Sequence, residues 1–167
     1  MMSLVWLLFA ALLFAAAVTD LTHYRIPNGI VLGLMGLFLV VALIHFPSVN
    51  WPIHLIPAIA TLAVTAVIYV LRGMGAGDAK LIAVLALWSG TPALAPFLLW
   101  TTVSGLLMAV VLVPSRLFLS QLAVQRRLEI RSLPRILRRK EGVPYGLAIA
   151  SGALLASAEF PNWLWHP

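Results

Sequence analysis

The sequence has no cysteine and little charge. The missing cysteine excludes disulfides, thiolate metal sites, zinc ribbons and a thiol nucleophile, whichever compartment the loops face. Charged residues make up 10% of the 167 residues, whereas a soluble domain carries about 25%. Apolar residues make up 62%, enough for six membrane helices, which need about 100 to 120 residues. The composition therefore predicts an all-α, polytopic membrane protein.

Six apolar segments alternate with the segments that hold nearly all of the charge. They are residues 4–18, 30–46, 53–71, 81–88, 94–113 and 143–160. The fourth is doubtful by itself, because so short a helix rises only about 12 Å and the hydrocarbon core is about 30 Å thick. If it crosses, residues 78–80 and residues up to about 95 complete it, and we expect it to be kinked.

The eleven Lys and Arg residues decide whether the fourth segment crosses. If all six segments cross, the loops on one side hold Arg25, Arg72, Lys80 and the eight bases from Arg116 to Lys140, while the other loops and both termini hold none. If the fourth does not cross, those eight bases lie opposite the other three, against the positive-inside rule. We therefore predict about six transmembrane helices with both termini outside.

We expect a single membrane-embedded domain, residues 1–167, in the inner membrane, with a basic cytoplasmic loop at 115–142. The first apolar segment is a span rather than a signal peptide, because no basic region precedes it and cleavage there would export Arg25. The loop mixes apolar side chains with the bases, which suits contact with anionic lipid headgroups. A docking site for a partner protein is an alternative, and nucleic acid is not an expected partner.

Two acidic residues lie at the inner ends of the spans, Asp20 and Asp78. Acids within a membrane are costly and are functional suspects by default, whereas Glu129 and Glu141 lie in the basic loop and Glu159 near the outer end of the last span. Either aspartate alone is also explained as a hydrated helix-end residue. The parity of the spans, however, places both at the same inner face.

Two carboxyl groups within a few Å of each other share a proton, so one is a base and the other an acid. Peptide hydrolysis needs that division, because one group takes a proton from water while the other serves the carbonyl oxygen and the departing amine. No metal, cofactor or covalent intermediate is required. The pair therefore predicts an aspartic protease site.

The residues before Asp78 include two glycines, Gly75 and Gly77. Glycine permits positive φ and close backbone approach, so an extended substrate could pair with the main chain here. The alternative is a flexible connection with Asp78 as a helix N-cap. Lys80 would project away from Asp78 on a helix and extend to the lipid headgroups.

Two further turns carry residues suited to the same face. Pro27 fixes the turn before the second span, and Asn28 could cap that span. Pro144, Tyr145 and Gly146 begin the last span with a proline for the first helical turn, a phenol at the interface and a glycine for tight packing. Each has an ordinary structural explanation, and their joint occurrence favours a site.

At these positions the chain resembles the prepilin peptidase family of intramembrane aspartic proteases. The matching motifs are Asp20 with the turn Ile26-Pro27-Asn28, the Gly-x-Gly-Asp-x-Lys stretch at 75–80, and Pro-Tyr-Gly-x-Ala at 144–148. The resemblance implies that Asp20 and Asp78 are the catalytic pair. It also implies cleavage of a short basic leader from prepilins or pseudopilins at the cytoplasmic membrane face.

The chain departs from the longer family members at its amino terminus. Those members carry a cysteine-bearing zinc loop and methylate the new amino group, whereas this sequence starts at the first span and has no cysteine. It is similar to the short form of tight-adherence (Flp-type) pilus systems. The resemblance therefore extends to peptidase activity, without zinc or methyl transfer.

Other functions fit the residues less well. A rhomboid-like serine mechanism needs a histidine on a span, and we expect the four histidines in loops or at the tail. A zincin needs His-Glu-x-x-His, which is absent, and His45 with His54 lacks further ligands. The strongest alternative is a transporter or secretion subunit whose aspartates carry protons or a cation, which requires polar groups near the midplane rather than at one face.

The predicted topology can be tested by labelling single introduced cysteines at Ser48 and Gln125 in intact cells. An impermeant thiol reagent should label Ser48→Cys and leave Gln125→Cys unlabelled until the membrane is permeabilised, because the two positions lie in loops on opposite sides. Equal labelling of both positions in intact cells would contradict the six-span topology.

Overall fold

The computed structural model of the protein describes residues 2–125 and 143–164. Its helices are α1 (Met2–His23), α2 (Asn28–Ile44), α3 (Trp51–Val70), α4 (Ala76–Gln125) and α5 (Tyr145–Ala156), with 3₁₀ turns at Phe46–Ser48, Ser157–Glu159 and Asn162–Leu164. Across the described ranges there is no strand, so the all-α prediction is confirmed. Most of the predicted basic loop, residues 126–142 with Glu129 and Glu141, lies outside the described residues.

Helix α4 is broken at Gly90, and the break divides it into two antiparallel arms. Gly90 has φ +61° and ψ −176°, which is not helical. The first arm, residues 76–89, runs antiparallel to α3, with Ala79 beside Thr65 at one end and Leu87 beside His54 at the other.

The second arm of α4, residues 91–125, runs antiparallel to α5. Thr101 on this arm packs against Gly152, and Gly105 packs against Ala148. At the ends of α1, Phe9 lies beside Trp88 and Asp20 beside Gly146. Within residues 2–125 and 143–164 there are thus six antiparallel passes, and the start of α1 lies at the same end of the bundle as the end of α5.

In the part of the chain that the structure describes, three helices are long and apolar enough to cross a membrane: residues 4–23 of α1, all of α3, and residues 76–121 of α4. Helix α2 is a shorter apolar helix. Helix α5 covers twelve residues and is shorter than the predicted span 143–160, because the chain continues into a 3₁₀ turn at Ser157–Glu159. The prediction of a helical membrane bundle is confirmed.

The first arm of α4 lies at the centre of the bundle. Every residue from Leu81 to Gly90 is buried. The Trp88 ring contacts Phe9 and Phe38, with ring centroids 4.6 and 5.7 Å away, and its indole N–H donates to the Leu34 carbonyl at 3.1 Å. A helix that is apolar on all sides is expected inside such a bundle. This central position explains why the residues from 81 to 88 are apolar on every side of the helix.

Two side chains satisfy backbone groups at the break in α4. Pro57 has no N–H, so the Ile53 carbonyl loses its helical partner, and the Thr91 hydroxyl donates to it at 3.0 Å. The His54 Nδ1 donates to the Leu87 carbonyl at 2.8 Å, where the first arm ends. His54 lies inside α3, so its predicted loop position is wrong.

The fourth and fifth passes are joined by a single residue, because Gly90 reverses the chain within α4. The fourth pass therefore ends before Gly90, not near residue 95. Helix resumes directly after Gly90, and Pro92 falls in the first turn, where its missing N–H costs no hydrogen bond. The second arm continues to Gln125, past the predicted end of the fifth span at 113.

Gly90→Ala should destabilise the protein. The backbone conformation at Gly90 is nearly restricted to glycine, and a Cβ would lie 3.3 Å from His54 and Ile53 atoms, so a loss of about 1 to 3 kcal/mol is expected. Gly36→Ala is the control, because a Cβ there meets nothing within 4 Å. Thermal unfolding in detergent should show a lower midpoint for Gly90→Ala only, and equal midpoints would refute the assigned reversal.

Candidate active site

The three sequence motifs meet at the end of the bundle opposite to Gly90. There the end of α1, the turn before α2 and the start of α4 enclose an open cavity of about 300 Å³. It is lined by Asp20, Tyr24, Arg25, Ile26, Asn28, Gly75, Ala76, Gly77, Asp78 and Lys80. The two aspartates that the sequence analysis paired, although far apart in the chain, therefore face one space.

Asp20 lies in the last turns of α1 and is held by the first turn of α5. Its side chain is 5% exposed, and its Oδ2 accepts a hydrogen bond from the Gly146 backbone N–H at 2.6 Å. Gly146 is the second residue of α5, where backbone N–H groups have no partner within the helix. The carboxyl of Asp20 thus caps a helix from another part of the chain, and the helix dipole favours negative charge there.

Gly146 has no room for a side chain. A Cβ at this position would lie 2.8 to 2.9 Å from the Cβ, Oδ2 and Cγ atoms of Asp20. Pro144, predicted for the first helical turn, is instead the N-cap of α5 and directly precedes that turn. The Tyr145 ring packs beside Gly105. The Pro-Tyr-Gly-x-Ala motif at 144–148 therefore determines where the Asp20 carboxyl lies.

Asp78 is the third residue of α4, because the helix begins at Ala76. The alternative that Asp78 is a helix N-cap is therefore wrong. The Asp78 carboxyl has the Gly75 backbone amide as a hydrogen-bond partner. In a capping box, the side chain of the third helical residue makes this contact with the backbone N–H of the residue before the helix. A Cβ on Gly75 would lie 3.0 Å from Asp78 Oδ2, so glycine leaves the carboxyl its space.

Gly77 brings the turn before α2 against the start of α4. A Cβ on Gly77 would lie 3.2 Å from the Ile26 Cβ and 3.4 Å from the Ile26 backbone nitrogen. Pro27 is the N-cap of α2 with φ −61°, as expected for a residue that fixes this turn. The close packing keeps the turn next to Asp78.

Asn28 does not cap α2, because Pro27 is the N-cap and no side chain caps that helix. The Asn28 Oδ1 instead accepts a hydrogen bond from the Lys80 ammonium at 3.2 Å. Lys80 and Asn28 both line the cavity, so this hydrogen bond joins the start of α4 to the first residue of α2. The predicted extension of Lys80 to the lipid headgroups stays a prediction.

Three threonines of α3 and α4 donate to carbonyls of their own helices. The hydroxyls of Thr61, Thr65 and Thr102 donate to carbonyls four residues earlier, each at 2.7 Å. They are thereby occupied within α3 and α4 and do not continue a polar route from the aspartates. This pattern favours chemistry at one end of the bundle over passage through it.

Tyr24 and Arg25 line the cavity, although neither is among the site residues predicted from the sequence. Both lie between Asp20 and Pro27, so their position within the first motif was the available signal. Tyr24 has φ +55°, which is uncommon for a residue with a side chain. The chain therefore turns sharply directly beside the site.

The family comparison matches residues 7–110 to the model of the type IV leader peptidase family. The match covers more than half of the chain and includes both aspartates, while Gly146 lies beyond it. Comparison with curated proteins and with solved structures gives no match. The chain therefore belongs to the type IV leader peptidase family and is a membrane protein of the peptidase class.

Proposed function

We propose that the protein is an intramembrane aspartic endopeptidase and that Asp20 and Asp78 are its catalytic pair. One observation carries the proposal: both carboxyl groups line the same cavity at the end of the bundle. Each is also oriented by a backbone amide at the start of a helix, from Gly146 for Asp20 and from Gly75 for Asp78. Such preorganisation is what a pair of acid and base groups requires.

The reaction follows from the two protonation states of the pair. The ionised carboxylate takes a proton from water as the water oxygen attacks the peptide carbonyl carbon. The protonated carboxyl donates to the carbonyl oxygen, and a proton passes to the nitrogen as the C–N bond breaks. The products are a new carboxyl end and a free amine. Which aspartate starts ionised does not alter this balance.

The substrate class that family membership supports is the precursor of a type IV pilin or pseudopilin, cut after a short basic leader. A cut at the inner end of the bundle fits such a leader, which stays on the cytoplasmic side of the inner membrane. Anionic lipid headgroups are the further expected partner, through the basic segment.

Asp20→Asn and Asp78→Asn should each abolish cleavage of a co-expressed pilin-type precursor. The amide keeps the size and polarity of the carboxyl, so the protein should still insert and fold, yet it cannot complete the proton cycle. Losses of about 10² to 10⁴ are expected for each, and the double variant should be little worse, because the two groups act as a unit. Leader removal is followed by the mobility of the precursor and the mature product.

Glu159→Gln is the matched control for these variants. It makes the same chemical change in the turn after α5, at the opposite end of the bundle, and should leave cleavage at the parent rate. A folded Asp78→Asn protein that removes the leader as fast as the parent would contradict the proposal. A transporter would instead show altered ion or proton flux with no proteolytic defect.

Gly146→Ala should lower kcat by about 100-fold with a smaller change in KM. A methyl group at this position overlaps the Asp20 side chain, and a shift of about 1 Å in a reacting group costs about that much. The control is Gly29→Ala in the first turn of α2, where a Cβ meets nothing within 4 Å. Unchanged kcat in Gly146→Ala, with the variant folded, would show that the Gly146 contact does not position Asp20.

A further inference from the structure

A second concave surface lies beside the candidate active site. We call it the apolar groove; its volume is about 370 Å³, and it is lined by Leu21, Leu107, Met108, Val111, Leu112 and Leu147. Among the residues that the structure describes, every side chain lining it is apolar. The volume lies in the range of about 300 to 1,000 Å³ that is usual for pockets with a ligand.

The apolar groove adjoins the candidate active site through two pairs of consecutive residues. Asp20 lines the cavity and Leu21 the groove. Gly146 donates its amide to Asp20, and Leu147, the next residue, lines the groove. One end of the groove therefore lies within one residue of Asp20 along α1 and of Gly146 along α5.

The two surfaces differ sharply in chemistry. The cavity holds the charged side chains of Arg25, Asp78 and Lys80, whereas the groove is apolar throughout. A substrate that crosses from one to the other must be polar on one side of the cut bond and apolar on the other. A membrane-anchored precursor has this division, because its anchor must match the hydrocarbon core.

We propose that the apolar groove binds the apolar transmembrane segment of the precursor and so places the adjoining peptide bond at Asp20 and Asp78. The inference rests on the proposed function. Apolar segments gain little from mutual contact inside a bilayer, since lipid is equally apolar, and they associate through close packing. A concave surface supplies that packing where a flat helix face does not.

Filling the groove tests the proposal with closely matched controls on the same helix. Leu107 and Val111 line the groove and are 63% and 65% exposed, while Leu106 and Val110 next to them do not line it and are 62% and 60% exposed. Leu107→Trp and Val111→Trp should obstruct the groove. Leu106→Trp and Val110→Trp place the same bulk at the same depth outside it.

Two probes separate the groove from the active site. One is a designed precursor with a basic leader, a scissile segment and an apolar helix of about 20 residues, reconstituted in vesicles. The other is a soluble peptide with the same leader and scissile segment only. The groove variants should raise KM about tenfold for the precursor with little change in kcat, and should leave the soluble peptide unaffected. Equal KM in groove and control variants would overturn the proposal.

Photo-crosslinking tests binding without cleavage. A benzoylphenylalanine in place of Leu107, in the Asp78→Asn protein, should crosslink to the apolar helix of the precursor, and one in place of Leu106 should not. Crosslinking to lipid alone at both positions would overturn the groove assignment. If the parent protein cleaves neither probe while crosslinking at Leu107 persists, the proposed function fails and the binding surface stands.

Discussion

The burial of the first arm of α4 is the constraint on which the rest of the structure depends. Residues 81–90 are buried on all sides, so α3 and the second arm must pack around them and the chain must reverse at once at Gly90. An enclosed helix also needs partners for its end groups, because no water reaches them. His54 supplies one at the Gly90 end. The opposite end of the same arm begins at Ala76 and presents Asp78 to the cavity.

Both aspartates serve the fold and the proposed chemistry through the same carboxyl groups. Asp20 accepts from the first turn of α5, and Asp78 has the amide before α4 as its partner. Carboxylates are favoured at helix starts because unpaired N–H groups and the helix dipole point there. The bundle can hold two acids at one cavity because each is bound to a helix start. The asparagine side chain can also accept these bonds, so fold and activity are separable.

Composition was sufficient to predict the fold class. The charge distribution was sufficient to predict that the two acids meet, because the positive-inside rule acts on whole loops. The turn at Gly90 and the contact of Asn28 could not be predicted, because they depend on tertiary contacts between residues far apart in the sequence. Ser89-Gly90-Thr91-Pro92 resembles a loop, yet one residue reverses the chain because His54 and Thr91 satisfy the carbonyls around it. Likewise, Asn28 resembles a helix cap, and its acceptor instead meets Lys80, 52 positions away.

The glycines of the motifs show how the same residue type can be required for different physical reasons. From the sequence, we expect Gly75 and Gly77 to permit positive φ and to let an extended substrate pair with the main chain. Among the described glycines, positive φ occurs at Gly90 alone, so the flexibility of Gly75 and Gly77 is not what the fold uses. Their hydrogen atoms face the Asp78 carboxyl and the Ile26 backbone, as that of Gly146 faces Asp20. A methyl group at any of these three positions would press on an aspartate or on the turn beside it. The glycines therefore set the spacing of the site, which makes the motif a packing requirement as much as a chemical one.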